Sequence, residues 1–127
     1  MREEVRIWWM QAEDDFDSAE KNLGIKKYHL AVLLCQQAVE KGLKAAYIKL
    51  KNASSGTTHS LVFLASEIKL PQKYFKFLRE LTPQFVNTRY PDAAYGLPSS
   101  MYDREIAEEC IKNTKGVLGW LKSQIKK

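Results

Sequence analysis

The chain has 127 residues, of which 45% are hydrophobic and 28% are charged, and its formal net charge is +5. This composition predicts one compact globular domain over residues 1–127 and excludes an intrinsically disordered chain. The excess of basic residues favours anionic partners such as nucleotides, RNA or an acidic protein.

The first 23 residues predict one long amphipathic helix. Its apolar residues recur at spacings of three and four, at Val5, Trp8, Ala12, Phe16, Ala19 and Leu23. Trp9 falls beside this stripe, so the pattern places Trp8 in the core and leaves Trp9 to widen the core face or to meet a partner. Gly24 follows the last apolar residue and is predicted to cap the helix.

A second helix is predicted from about residue 28 to residue 51, and it is apolar on most of its surface. Such a helix lies at the centre of a bundle or at an oligomer interface. Small residues along it permit a neighbouring helix to approach closely, namely Ala31, Ala38, Gly42 and Ala46.

A polar insertion interrupts this second helix with Gln36, Gln37, Glu40, Lys41 and Lys44. Because Gln36, Glu40 and Lys44 are four residues apart, they share one side of the helix, and Glu40 precedes Lys44 in the favourable order for an ion pair. This side is either a stripe exposed to solvent or the polar wall of a groove or dimer seam.

Residues 52–58 predict a loop, and a short helix follows from about residue 59 to residue 69, capped by Thr57 or Thr58. The next helix begins after Pro71 and has Phe75, Leu78, Leu81 and Phe85 on its core side. Pro83 should kink or divide it near Thr82, and Pro91 should end it.

Residues 92–100 predict a second loop, and Ser100 and Asp103 resemble the two ends of a capping box. The last helix then runs to about Ile125, with Ile106 and Cys110 among its core residues. Gly116 and Gly119 lie in its interior, where glycine costs about 1 kcal/mol each. Close packing against a neighbouring helix would offset this cost.

These elements predict an all-α fold, an antiparallel up-and-down bundle of four to five helices. No run approaches the roughly 18 apolar residues that a membrane span needs, so we expect a cytoplasmic protein without membrane contact. Cys35 and Cys110 lack the spacing of a zinc site or a disulfide framework and are expected to be buried thiols. The two histidines, His29 and His59, lack metal-site spacing, and we predict neither a metal nor a cofactor.

The segment Arg89-Tyr90-Pro91-Asp92 is the second polar feature. The guanidinium of Arg89 is a planar fork suited to phosphate or carboxylate, and Tyr90 has a ring on which a base can stack. The alternative interpretation pairs Arg89 with Asp92 or Glu40 and places Tyr90 in the core.

Three stretches carry a family resemblance: AVLLCQQAVEKGLKAAYI, then HSLVFLA, then TRYPDAAY. In this order they resemble the small prokaryotic HEPN domains, and the likeness extends from Ala12 through the last helix. The resemblance implies a helical bundle that commonly dimerises and is often encoded beside a minimal nucleotidyltransferase. Such pairs are interpreted as toxin–antitoxin or nucleotide-handling modules.

Many HEPN proteins are ribonucleases that carry an arginine followed, after four to six residues, by a histidine. This chain departs from that motif, because the positions that would follow Arg89 hold Ala94, Tyr95 and Gly96. The expected general acid or base is therefore missing, and we predict no catalytic residue.

The function predicted from these features is a non-catalytic homodimeric module that binds an ATP-like nucleotide, a partner nucleotidyltransferase, or both. The residues predicted to bind are Gln37, Glu40, Lys41, Lys44, His59, Arg89, Tyr90 and Asp92. Two alternatives stay open. One is a metal-independent ribonuclease toxin that acts on RNA through Arg89 and His59, and the other is a purely structural interaction protein.

Overall fold

The computed structural model describes residues 2–127, and the regular structure of this part of the chain is entirely helical. Three helices are long: α1 (Glu3–Gly24), α2 (Tyr28–Lys51) and α7 (Arg104–Ile125). The short helices between them are α3 (Leu61–Glu67), α4 (Phe75–Leu81), α5 (Gln84–Asn87) and α6 (Pro91–Ala94), with 3-10 turns at Gln72–Tyr74 and Pro98–Ser100. The all-α prediction is confirmed.

Helix α2 is the central element, since α1, α7, α3 and α5 all contact it. Its packing is tightest at Gly42. A Cβ atom there would lie 3.1 Å from the side chains of Leu118 and Leu121 and 3.3 Å from the ring of Trp9. Interiors packed at this density have little room for an added methyl group. The predicted role of a small residue is therefore confirmed at this position.

On α1 Trp9, which is 7% exposed, widens the core face, which is one of its two predicted roles, whereas Trp8, predicted to lie in the core, packs against it only partly buried. A stripe through Val5, Trp9 and Ala12 follows the same spacings of four and three, so periodicity could not choose between the neighbours. Gly24 is not the cap either: it is the last helical residue, Ile25 is the C-cap, and Lys26 has the left-handed backbone with φ of 65°.

Between α2 and α7 the predicted break at Pro83 is confirmed, but the predicted N-cap of the short helix α3 is wrong. Pro83 separates α4 from α5, as predicted. The N-cap of α3 is Ser60, whose side chain accepts a hydrogen bond from the Phe63 amide at 3.1 Å, and not Thr57 or Thr58. Phe85 was expected in the core, yet it is 40% exposed.

The approach to α7 also differs from the prediction. Residues 92–100 are not a plain loop, because they include most of α6 and a 3-10 turn. Ser100 belongs to that turn, so the capping box is wrong, and the N-cap is Asp103, which accepts from the Ile106 amide at 2.8 Å. Ile106 itself is 45% exposed. Gly116 does pack closely, with Tyr74 3.3 Å from the position of a Cβ atom.

Candidate functional site

The centre of the candidate site is Glu40, whose carboxylate is 8% exposed on the middle of α2. Its Oε1 accepts a hydrogen bond from Gln36 Nε2 at 3.2 Å, and its Oε2 lies 3.4 Å from Lys44 Nζ. His59 reaches the same Oε2 from the loop before α3, with its Nδ1 at 3.1 Å. Gln36, Glu40 and Lys44 are all buried. The interpretation of this stripe as exposed to solvent is therefore wrong.

A second set of polar contacts extends this network to α1. Lys41 Nζ lies 3.1 Å from Asp15 Oδ2 and 3.0 Å from Gln37 Oε1. Gln37 in turn donates to Gln36 Oε1 at 2.6 Å, and Asp15 Oδ1 accepts from Gln11 at 2.9 Å. Burying charged groups is costly unless they are paired and hydrogen-bonded, as they are here.

Asp15 is a member of this network that the sequence reading missed. It is 9% exposed and lies three residues after Ala12 and four before Ala19, both in the core of α1. A carboxylate at core spacing needs a buried cation or donors. That spacing was the signal that pointed to a partner such as Lys41 on the neighbouring helix.

Phe85 links the α2 network to the Arg89 segment. The rings of Phe85 and His59 are stacked at 17°, with centroids 6.4 Å apart. The guanidinium carbon of Arg89 lies 4.1 Å from the Phe85 centroid, and Arg89 Nε donates to the Phe85 carbonyl at 2.8 Å. His59 and Arg89, 30 residues apart in the chain, thus contact the same exposed ring.

Both parts of the alternative interpretation of the Arg89 segment are contradicted. No ion pair formed within residues 2–127 includes Arg89, so it pairs with neither Asp92 nor Glu40. Tyr90 is 49% exposed instead of buried, with the Arg89 guanidinium 5.3 Å from its ring centroid. Asp92 is exposed in the first turn of α6.

The eight predicted site residues therefore fall into two groups. The buried or partly buried group is Gln37, Glu40, Lys41 and Lys44, whose polar atoms contact one another or neighbouring side chains. Lys44, for example, lies between Glu40 and the ring of Trp8, 5.3 Å from its centroid. The exposed group is His59, Arg89, Tyr90 and Asp92. His59 is the member of the exposed group that contacts the buried group, through Glu40.

The carboxylate of Glu40 also sets the tautomer of His59. A carboxylate only accepts hydrogen bonds, so the Nδ1 of His59 must be the donor in their 3.1 Å contact. In the neutral ring, Nε2 then has the free lone pair, and in the charged ring it has a second N–H. Because the His59 side chain is 74% exposed, Nε2 is accessible from solvent.

The two cysteines are buried and free, as predicted. Two effects raise the pKa of the Cys110 thiol: the larger is a hydrogen bond with Cys35, and the smaller is burial. A raised pKa keeps the thiol protonated near neutral pH, and only the thiolate is a strong nucleophile. We therefore expect native protein at pH 8 to resist iodoacetamide while the urea-unfolded chain takes up two carbamidomethyl groups. Intact-mass spectrometry checks this, and rapid labelling of native Cys110 would contradict it.

No group of three or more His, Cys, Asp or Glu side chains within residues 2–127 is placed to hold a metal ion. None of the helices in this part of the chain is both long enough and apolar enough to cross a membrane.

Comparison with known proteins gives consistent matches over nearly the whole chain. The family model described as "HEPN domain" matches residues 5–124. "Putative toxin MJ1304" of Methanocaldococcus jannaschii is 28% identical, over 96% of this chain and 88% of that protein.

Two crystal structures have closely similar folds. TT1696 from Thermus thermophilus has a TM-score of 0.87 and 26% identity, covering 97% of this chain and 99% of that one. ST0689, described as an archaeal HEPN homologue, has a TM-score of 0.82 and 32% identity, covering 98% and 99%.

Proposed function

This chain belongs to the HEPN domain family, and from that premise we propose that it is the non-catalytic half of a toxin–antitoxin-like pair. In this proposal it is a homodimer that binds an ATP-like nucleotide, a partner nucleotidyltransferase, or both. The similarity to the M. jannaschii protein named as a toxin supports the class. The observation on which the proposal depends is the exposed surface formed by His59, Phe85, Arg89 and Tyr90, hereafter the Arg89 surface.

Arg89 is the anchor of this surface for an anionic group. Its Nε–H is donated to the Phe85 carbonyl, which fixes the plane of the guanidinium. Within residues 2–127 its two Nη groups have no hydrogen-bond partner, so their N–H donors are available to a ligand. A guanidinium that presents two parallel donors binds phosphate in a bidentate manner. The polyphosphate of a nucleotide meets this requirement.

The aromatic rings and His59 complete the requirements of a nucleotide. Tyr90 is half exposed beside Arg89, so one face of its ring is available to a base. Base–aromatic stacking contributes about 1–3 kcal/mol in single-stranded nucleic acid complexes. His59, when protonated, adds an Nε2–H donor for a second phosphate oxygen. Phosphate and base contacts are thus offered by adjacent side chains.

A partner protein is supported by the exposed apolar side chains of the segment that contains Arg89. Seven of the large hydrophobic side chains that are at least 40% exposed lie between residues 85 and 106, namely Phe85, Val86, Tyr90, Tyr95, Leu97, Met101 and Ile106. Tyr95 alone is 94% exposed. Tyr95, Met101 and Ile106 line one cleft. Exposed apolar patches mark protein interaction sites, and large aromatic side chains dominate interface energies.

Isothermal titration of the purified protein with ATP tests the nucleotide branch. We expect saturable heat with one site per protomer, and weaker binding of adenosine because it lacks the phosphates that Arg89 holds. Heat no larger than that of buffer dilution, at high protein concentration, would remove this branch. The partner branch is tested separately by co-expressing the chain with a minimal nucleotidyltransferase found in a neighbouring reading frame, followed by gel filtration of the pair, and the lack of such a frame would count against this branch.

A metal-independent ribonuclease is the second candidate, and the tautomer of His59 favours it. Neutral His59 exposes the lone pair of Nε2, which can take a proton from a ribose 2′-hydroxyl, while Arg89 can stabilise charge on the phosphate. Incubation with total RNA in the presence of EDTA tests this. Cleavage that disappears in both His59→Ala and Arg89→Ala would support it, and intact RNA with the native protein would exclude it.

A further inference from the structure

A groove of about 370 Å³ runs between α1 and α7, and every residue that lines it belongs to one of these two helices. On each helix the lining residues follow spacings of three and four, so they form one stripe of the helix surface. From position 9 to position 20 the α1 stripe is about 16 Å long, at about 1.5 Å per residue. The groove is therefore about three helical turns in length.

The buried residues of this α1–α7 groove are apolar and its exposed residues are charged. Trp9 and Leu118, 7% and 8% exposed, form the floor together with the partly buried Phe16. The exposed side chains form two edges of opposite sign. The edge on α1 is acidic and the edge on α7 is basic, and these side chains are Glu13, Asp17 and Glu20 on α1 and Lys115 and Lys122 on α7.

The two charged edges do not neutralise each other. No ion pair of residues 2–127 crosses the groove, and of its five charged side chains only Asp17 is paired, with Lys21 on its own helix at 2.8 Å. The groove therefore offers an occupant one row of carboxylates and, parallel to it, one row of ammonium groups.

Gly119 leaves the backbone of α7 open within the groove. No heavy atom lies within 4 Å of the Cβ position that a larger residue would have there, in contrast to Gly42 and Gly116. A glycine in the interior of a helix is destabilising relative to alanine. The packing of the chain itself does not require this glycine, whereas an occupant of the groove could approach α7 closely at this point.

The walls of the groove favour a helix over an extended segment as the occupant. Both walls are interior stretches of long α-helices, whose backbone N–H and C=O groups are bonded within their own helix. An extended peptide would find no backbone partners there, because strand addition needs an open sheet edge. A helix satisfies its own backbone groups and presents apolar side chains at spacings of three and four to an apolar floor.

We propose that the α1–α7 groove is a docking site for one amphipathic helix of a partner protein. This helix has an apolar stripe of about three turns, with Lys or Arg along the edge that faces α1 and Asp or Glu along the edge that faces α7. The proposal is independent of the proposed function, because the groove shares no residue with the Arg89 surface or with segment 85–106. Charge complementarity of this kind fixes the register and suppresses wrong partners.

Three synthetic helical peptides of about four turns, each with the same leucine stripe and a fluorescein label, test the site. The first has Lys along one edge and Glu along the other, the second has Lys on both edges, and the third has Glu on both. We expect a saturable rise in anisotropy with the first peptide and binding about tenfold weaker with the other two, because one edge of each meets like charges. No saturable binding of the first peptide, or equal binding of all three, would overturn the proposal.

Variants of the protein show whether the peptides bind in the groove. Lys115→Glu with Lys122→Glu makes both edges acidic, so this variant should prefer the peptide with Lys on both edges. Lys73→Glu with Lys76→Glu makes the same charge change at exposed positions outside the groove and should keep the native preference. A control variant that changes preference as strongly as the groove variant would sink the proposed site.

A third variant tests the floor without changing any charge. Gly119→Leu fills the open backbone of α7 and should weaken binding of the first peptide, while circular dichroism verifies that every variant is folded. Unchanged binding by folded Gly119→Leu would contradict docking at this floor.

Light scattering distinguishes a partner helix from a second copy of this chain as the occupant. We expect the native protein and the Lys115→Glu, Lys122→Glu variant to have the same oligomeric state. A native oligomer that dissociates in this variant would place a second copy in the groove and would overturn the proposal.

Discussion

Replacing Glu40 by alanine is expected to lower the free energy of unfolding by about 3–5 kcal/mol, the range measured when one partner of a buried ion pair is removed. The side chains of Glu40 and Lys44 are each only 8% exposed. Without the carboxylate, Lys44 remains in the interior with only the ring of Trp8 beside it. Gln36, 2% exposed, loses an acceptor as well. Urea unfolding followed by circular dichroism measures the change.

Two further variants identify the cause of this loss. Glu40→Gln keeps the shape of the side chain but removes its charge, so it should destabilise nearly as much as alanine if the unpaired Lys44 is responsible. Replacing both Glu40 and Lys44 by methionine removes both charges together, and such exchanges of buried pairs for apolar residues are often neutral or stabilising. If the double variant is no more stable than Glu40→Ala, then the buried charge of Lys44 is not the source.

The same carboxylate connects stability with the candidate site. His59 is 74% exposed and has Glu40 Oε2 as the partner of its Nδ1. A double methionine variant that folds well would therefore still release the His59 ring and its fixed tautomer. In this double variant we expect the free energy of unfolding to return towards that of the native protein. The contribution of His59 to ligand binding should still be lost.

The long helices and the central place of α2 could be predicted from the sequence because they depend on local periodicity. The polar residues of α2 were also found by their four-residue spacing. Their burial could not be predicted, because it depends on which neighbours cover that side of the helix, here Trp8 from α1 and His59 from a loop. A stripe of Gln, Glu and Lys is the same pattern whether solvent or another helix lies against it.

The Arg89 surface shows a second limit. The residue types of Arg89 and His59 make both of them candidates for the site. What brings the two side chains together is their shared contact with Phe85. The spacing of Phe85 from Leu81 and Leu78 predicts instead that Phe85 lies in the core. Pro83 separates α4 from α5, so the spacing that holds for α4 does not extend to α5. Phe85 is exposed instead, and its ring contacts both polar residues.

The structure shows what stands in place of the histidine that the ribonuclease motif requires. At position 94, where a histidine five residues after Arg89 would complete the motif, the chain has alanine at the end of the short helix α6. His59 instead contacts Phe85, the ring that Arg89 also contacts. Nucleotide binding needs only Arg89 and an aromatic face, whereas cleavage also needs His59 within reach of a ribose hydroxyl. Binding therefore needs fewer groups in place than cleavage does, and for this reason binding is the leading proposal.

Replacing Arg89 by alanine is expected to weaken ATP binding about 10- to 100-fold, because a hydrogen bond to a charged group contributes about 1.5–3 kcal/mol and each 1.4 kcal/mol is a factor of ten. The folded state should be almost unaffected. Arg89 is exposed, and the one hydrogen bond that its side chain makes within residues 2–127 goes to a backbone carbonyl. Parallel calorimetric titrations and urea unfolding curves for native and variant protein measure both effects.

Arg79→Ala is the matched control, since Arg79 is also an exposed arginine and lies on α4, outside the Arg89 surface. Both variants lower the net charge by one, so a non-specific attraction between a basic protein and a polyanion would weaken equally in the two. A specific site predicts a large loss for Arg89→Ala and almost none for Arg79→Ala. Equal losses in both would mean that the Arg89 surface is not where the phosphates bind.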